Sequence, residues 1–191
     1  MTRIRSHFEE SARLANDLLG DATFLDSMEK GADVLIDALR LDAKILSCGN
    51  GGSMCDAMHF AEELSGRYRD DRPPLAALAL SDVSAMTCVG NDYGFDQVFA
   101  RQVQALGRPG DVLLAISTSG NSSNILEACR AAKAAGMHVV SLTGKGGGAL
   151  RPMADVDVCV PWSGYADRIQ EVHIRCIHSW IDAIEQALTQ G

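Results

Sequence analysis

Five short apolar runs, each followed by a stretch with helical spacing, constrain this chain more than any other feature. The runs lie at 44–48, 76–80, 112–116, 138–143 and 156–160, each bounded by turn residues. Runs that are apolar at nearly every position read as strands covered on both faces. The stretches 53–66, 83–90, 94–106, 121–136 and 165–189 read as helices. Gly136 closes one of them, and Gly107, Pro109 and Gly110 break another. Two more helices are predicted ahead of the first strand, at 3–20 and 22–41. Their apolar residues Leu14, Leu18, Leu19 and Val34, Leu35, Ala38, Leu39 recur at helical spacing, and Asp21 is placed to cap the second.

Alternating strand and helix implies an α/β fold with one doubly wound, five-stranded parallel sheet and two N-terminal helices. Five strands suit the flavodoxin-like order 2-1-3-4-5, whose topological switch point lies between strands 1 and 3. Both of those strands run into polar, glycine-bearing loops. Strand 1 leads into Gly49-Asn50-Gly51-Gly52-Ser53, and strand 3 into Ser117-Thr118-Ser119-Gly120-Asn121-Ser122. A loop of this kind opening a helix is suited to an anion, because the first helical N–H groups have no intrahelical partner and the dipole favours negative charge there. Two such loops at one crevice point to a phosphorylated ligand gripped from two sides. The segment Arg69-Asp70-Asp71-Arg72-Pro73-Pro74 is a polar connection within the domain, so residues 1–191 read as a single unit.

The bulk numbers narrow the function classes. With 191 residues, 47% of them hydrophobic, the chain can bury a substantial core. Its formal net charge of -8 argues against a general nucleic-acid binder, which needs a basic field. The six cysteines form no Cys-x-x-Cys pair, so neither a disulfide framework nor a thiolate zinc site is expected, and buried reduced thiols are. The first ten residues contain no apolar signal core, and no run reaches the roughly 18 apolar residues of a membrane span. A cytoplasmic chain is expected.

Two helices carry candidate chemistry. On 53–66, His59 and Glu63 are four residues apart and share a face, more than about 100° from the centre of the Ala57, Phe60, Ala61 and Leu64 stripe. Such a pair is either an exposed helix pair contributing about 0.2–0.5 kcal/mol or part of a site. On 165–189, Ile169, Val172, Cys176, Ile177, Trp180, Ile181, Ile184 and Leu188 cover more than half the circumference, which predicts burial on more than one side and cover from a second subunit. His173 projects into that apolar arc and reads as a core histidine. Gln170 and His178 lie at its polar boundary, eight residues and about 12 Å apart. Sharing one metal requires them to lean together or to come from different subunits, so spacing alone does not select this pair.

Taken together, Ser47-Cys-Gly-Asn-Gly-Gly-Ser53, Asp56-Ala-Met-His-Phe-Ala-Glu-Glu-Leu64, Gly66-Arg-Tyr68, Asn91-Asp92, the hydroxyl loop and Tyr165-Ala-Asp-Arg-Ile-Gln-Glu-Val-His173 resemble the phosphoheptose isomerases of the sugar isomerase (SIS) fold. The resemblance runs from about residue 44 to the end, and the N-terminal helices (1–42) fit as oligomer-packing elements. It implies a cytoplasmic homotetramer with one zinc per subunit, held by His59, Glu63, Gln170 and His178. It implies contacts to a phosphorylated seven-carbon sugar from Asn50, Gly51, Gly52, Glu63, Asn91, Asp92, Ser117, Thr118, Ser119, Ser122 and Gln170. Met54 stands where relatives often have a polar residue, but it touches no assigned ligand.

The implied reaction interconverts sedoheptulose 7-phosphate and D-glycero-D-manno-heptose 7-phosphate through an enediolate, for bacterial heptose and lipopolysaccharide precursors. Glu63 is the preferred base and His178 the preferred acid, provided one Glu63 oxygen stays free of the metal. Asp167 could orient a donor beside Gln170, or be an ordinary first-turn acid. Asn91-Asp92 could bind sugar hydroxyls, or simply form a turn. Two other readings compete: a non-enzymatic SIS protein that associates with a replication initiator, and an isomerase or sensor for another phosphosugar. The presence of all four zinc ligands that the resemblance implies favours the enzyme.

Overall fold

The computed structural model describes residues 2–189. Its five strands are β1 (Ile45–Gly49), β2 (Ala77–Ala79), β3 (Val112–Ser117), β4 (His138–Gly144) and β5 (Val156–Val160). They form one all-parallel sheet in the order β2-β1-β3-β4-β5, as the alternation predicts. The helices are α1 (Arg3–Leu19), α2 (Ala22–Arg40), α3 (Gly52–Ser65), α4 (Val83–Asp92), α5 (Ala100–Leu106), α6 (Ser123–Ala134) and α7 (Ala166–Thr189).

Side-chain alternation divides the core into two layers. Ile45, Val112, Leu114, Ile116, Val140, Leu142, Val158 and Val160 face α2, α3 and α7, while Leu46, Cys48, Leu113, Ala115 and Val139 face α5 and α6. Asp21 caps α2 as expected, its Oδ1 accepting from the Phe24 N–H at 3.0 Å. Lys44 and Asp111 tie the amino ends of β1 and β3 together.

Three expectations change. The helix expected over 94–106 is a 3-10 turn (Phe95–Gln97) followed by α5, the two joined through Val98 and Phe99, which keep right-handed helical dihedrals and are fully buried. Most of the broad apolar surface of α7 is covered within the chain: Ile169, Val172, Cys176, Ile177, Trp180, Ile181 and Ile184 are buried against α2, α3 and the sheet, and Leu188 is half-buried. Trp180 also donates its indole N–H to the Met28 carbonyl at 2.9 Å. Finally, only Cys48, Cys129 and Cys176 are buried, and burial raises the pKa of each. Cys55 and Cys88 are exposed.

His173 is the core histidine that the sequence predicts. It is fully buried, and its Nε2 lies 3.0 Å from the Thr143 carbonyl, which anchors α7 to β4. Burial pushes its pKa down to about 4, so the ring is neutral.

Candidate active site

The strand order brings the two polar loops side by side at the carboxyl ends of β1 and β3. Asn50 and Asn124 join them through a reciprocal amide pair: each Nδ2 donates to the other's Oδ1, at 2.9 and 2.8 Å. That pairing engages the Asn50 carboxamide, and the Asn50 and Gly51 carbonyls accept from the Ser53 and Met54 N–H groups. Helices α1, α2 and α4 start with a side-chain cap from Thr2, Asp21 and Asp82. Helices α3 and α6, which start at the crevice, have no side-chain cap, as is also true of α5. The Ser53 and Met54 N–H groups donate to the Asn50 and Gly51 carbonyls and Ile125 to Ser122, so the capacity for an external anion rests with the N–H groups of Gly52, Ser123 and Asn124.

The second loop is held from behind. Ser117 and Ser122 hydroxyls lie 3.1 Å apart, flanking Thr118 and Ser119. Asn121 donates from Nδ2 to the Ser119 carbonyl and accepts the Ala149 N–H on Oδ1, linking the loop to the glycine-rich segment after β4. Gly120 has φ 64°, and a Cβ there would sit 1.9 Å from the Gly147 carbonyl oxygen, so only glycine fits.

A second cluster lies along α3 and α7. His59 Nε2 faces His178 Nε2 at 3.0 Å, and Glu63 Oε1 lies 3.5 Å from the same His59 nitrogen. On the far side of the ring, Glu62 Oε1 lies 3.1 Å from His59 Nδ1. With that carboxylate accepting a hydrogen bond from Nδ1–H, the Nε2 lone pair is left facing His178 and Glu63. Tyr68 stacks on the His178 ring, with centroids 5.8 Å apart. Partial burial and the adjacent His59 lower the His178 pKa, which favours the neutral imidazole.

Gln170 meets α3 elsewhere. Its amide packs on Gly52 so closely that a Cβ at that position would lie 2.6 Å from Nε2. The contacts advance together along both helices, from Gly52–Gln170 to His59–His178, so α3 and α7 run side by side in the same direction. This resolves the eight-residue tension for His178 but not for Gln170. The structure brings His59, Glu63 and His178 together and sets Gln170 against the start of α3, seven residues before His59, about 10 Å along the helix. Two imidazole nitrogens and a carboxylate oxygen, with Glu62 behind one ring, are a donor set that fits zinc. His59, Glu62 and Glu63 themselves offer ligand atoms within 4.8 Å of one another.

The remaining candidates fall differently. Asn91 and Asp92 form the exposed last turn of α4 rather than a free turn, and Asn91 Nδ2 donates to Asp92 Oδ1 at 2.8 Å. Asp167 is exposed and accepts the Arg168 N–H at 2.9 Å, so its partner is Arg168 rather than Gln170. Sequence reasoning passed over Glu62, Tyr68, Asn121 and Asn124. Glu62 and Asn124 did carry a signal, since each flanks a chosen residue within one helical turn. Tyr68 stands in the Gly66-Arg-Tyr68 motif, but its meeting with His178 depends on the path of the chain after α3.

Comparison with known proteins agrees with the fold. Residues 8–144 match the SIS domain family. The chain is 56% identical over 185 residues to a phosphoheptose isomerase of Vibrio parahaemolyticus, covering 97% of each. Among solved structures, it matches phosphoheptose isomerases of Neisseria gonorrhoeae (47% identity, TM-score 0.90, 96% of this chain and 97% of that one) and Francisella tularensis (41%, TM-score 0.91, 97% and 100%). With its sheet order, its paired loops and a likeness that spans almost its whole length, the chain belongs to the phosphoheptose isomerase family of SIS-domain proteins.

Proposed function

We propose that this chain interconverts sedoheptulose 7-phosphate and D-glycero-D-manno-heptose 7-phosphate, supplying bacterial heptose synthesis. The observation that carries the reading is the meeting of His59, Glu63 and His178 on two parallel helices, one of which starts at the anion crevice. Family membership at 56% identity gives the substrate class.

In this reading the 7-phosphate is held by Ser117, Thr118, Ser119 and Ser122 and by the first N–H groups of α6. The sugar chain lies along Asn50, Gly51 and Gly52, with Gln170 opposite and Asn91 and Asp92 at the rim. Zinc held by His59, Glu63 and His178 would supply Lewis-acid charge beside the carbonyl oxygen, while Gln170, packed on Gly52, would face the sugar chain. Glu63 takes the C1 proton of the ketose while His178, neutral and with Nε2 turned to the metal, gives its Nδ1 proton to the C2 oxygen. The C1 hydroxyl proton then passes to the imidazole as Glu63 returns its proton to C2, which gives the aldose. The carboxylate oxygen that moves the proton must be the one not engaged by the metal. Glu62 holds the His59 tautomer throughout.

The assembly we infer is a homotetramer. Ile4, Phe8 and Leu19 of α1 are 73–75% exposed, and an apolar groove of about 490 Å³ is lined by Leu19 with Leu18, Leu25, Met28 and Trp180. Among the described residues no helix is long and apolar enough to cross a membrane. We assign the chain to the cytoplasm, where its six free cysteines stay reduced.

The test is a direct assay of the purified protein on a panel of ketose phosphates, with chelator and after zinc is restored, alongside light scattering for mass. Turnover of sedoheptulose 7-phosphate that stops on chelation and returns with zinc is expected. Turnover of a different ketose phosphate alone would move the substrate, and full activity in metal-free protein would remove zinc.

A further inference from the structure

The segment leaving α3 is bolted along α7. Arg72 is the centre of this strap, with its side chain 2% exposed and its partner Glu185 8% exposed. Its Nε donates to Glu185 Oε1 at 2.9 Å, Nη1 to the Leu64 carbonyl at 2.8 Å, and Nη2 to the Glu63 carbonyl at 2.6 Å. One guanidinium thus closes the carboxyl end of α3, on the backbone of Glu63 itself, and grips a carboxylate of α7. Arg69 adds a bond from Nη1 to Asp182 at 2.8 Å and one from its backbone N–H to Glu185 at 3.3 Å, and Tyr68 stacks on His178. The α7 partners 178, 182 and 185 lie on one helical face.

We propose that Arg72, with Glu185, is a positioning residue that sets the register of α7 against α3, so that His178 meets His59 and Glu63. A planar fork that satisfies two carbonyls and a carboxylate fixes rotation as well as distance, which lysine, a single point charge, does not. The strap touches neither anion loop, so loosening it separates turnover from phosphate binding. The inference rests on the reading of this cluster as the reactive centre.

Arg72→Lys, Arg72→Met, Tyr68→Leu and the double variant Arg72→Met/Glu185→Leu test it. The single Met variant withdraws the cation from a buried carboxylate and is expected to lower the melting temperature sharply. The double variant replaces the buried pair with apolar groups, a change that is often neutral for stability. Zinc affinity by chelator competition, kcat, and the Kd of inorganic phosphate are measured on each folded protein. The expected result is a double variant that melts near wild type yet keeps a 10–100-fold loss of zinc affinity and a matching fall in kcat. Phosphate Kd should stay within twofold, and Tyr68→Leu should give a smaller loss of the same kind. Recovery of kcat together with stability in the double variant would overturn the proposal, as would equal losses in kcat and phosphate binding. If the wild type binds no zinc, the zinc reading falls alone, and the split between kcat and phosphate Kd still decides the role of Arg72.

Discussion

The anion crevice and the imidazole–carboxylate cluster are built on different principles. The crevice uses backbone: uncapped starts of α3 and α6, a glycine that passes under the Gly147 carbonyl, and two amides that hold the loops together. The cluster uses side chains from two helices whose histidines are more than a hundred residues apart in the chain. The first depends on local conformation, the second on helix register. Changes in the crevice should act mainly on binding, and changes in the cluster mainly on turnover.

The strongest way to break that division is Glu63→Gln. A base removed without loss of shape should cost about 10²–10⁴-fold in kcat, with the substrate Kd by calorimetry unchanged. A rise in Kd as large as the fall in kcat would merge the two regions. Next comes Asn124→Ala, which leaves the Asn50 amide without its partner at a cost of about 1–3 kcal/mol. KM should rise severalfold while kcat holds, and a kcat effect larger than the KM effect would contradict a crevice role.

His173 sharpens the contrast from the side of stability, since it anchors α7 to β4 without joining the cluster. Burial lowers its pKa from 6.5 to about 4, so the unfolded chain takes up the proton first. Its contribution is complete above pH 6.5 and is lost as pH falls toward 4, with a slope of at most about 1.4 kcal/mol per pH unit. His173→Gln should flatten the pH dependence of the urea midpoint in that window; an unchanged slope would show that the ring is not held neutral. The smallest effect is expected of Ser117→Ala. Losing one hydroxyl should weaken inorganic phosphate by about 0.5–1.5 kcal/mol, read by calorimetry, and leave the metal affinity where it was.

The same division explains what could be read before the fold was known. The sheet order, the loops and the caps follow from contiguous residues, because strand period, glycine placement and helix starts are local facts. His59 and Glu63 were legible as one helical face. The meeting of His178 with His59 was not, since it requires knowing that α7 lies parallel to α3. The in-chain cover of α7 was missed for a related reason: helical periodicity shows how wide an apolar surface is, not which element supplies its partner. Arg72 looked like part of a polar connection, and only the path of that connection over α7 shows the guanidinium buried.

Parallel packing of α3 and α7 has an evolutionary corollary. One residue gained or lost between Gln170 and His178 would rotate everything beyond it by about 100°, turning His178, Asp182 and Glu185 away from their partners at once. Lineages carrying this enzyme should therefore keep the length of this stretch of α7 invariant even where its outward residues drift.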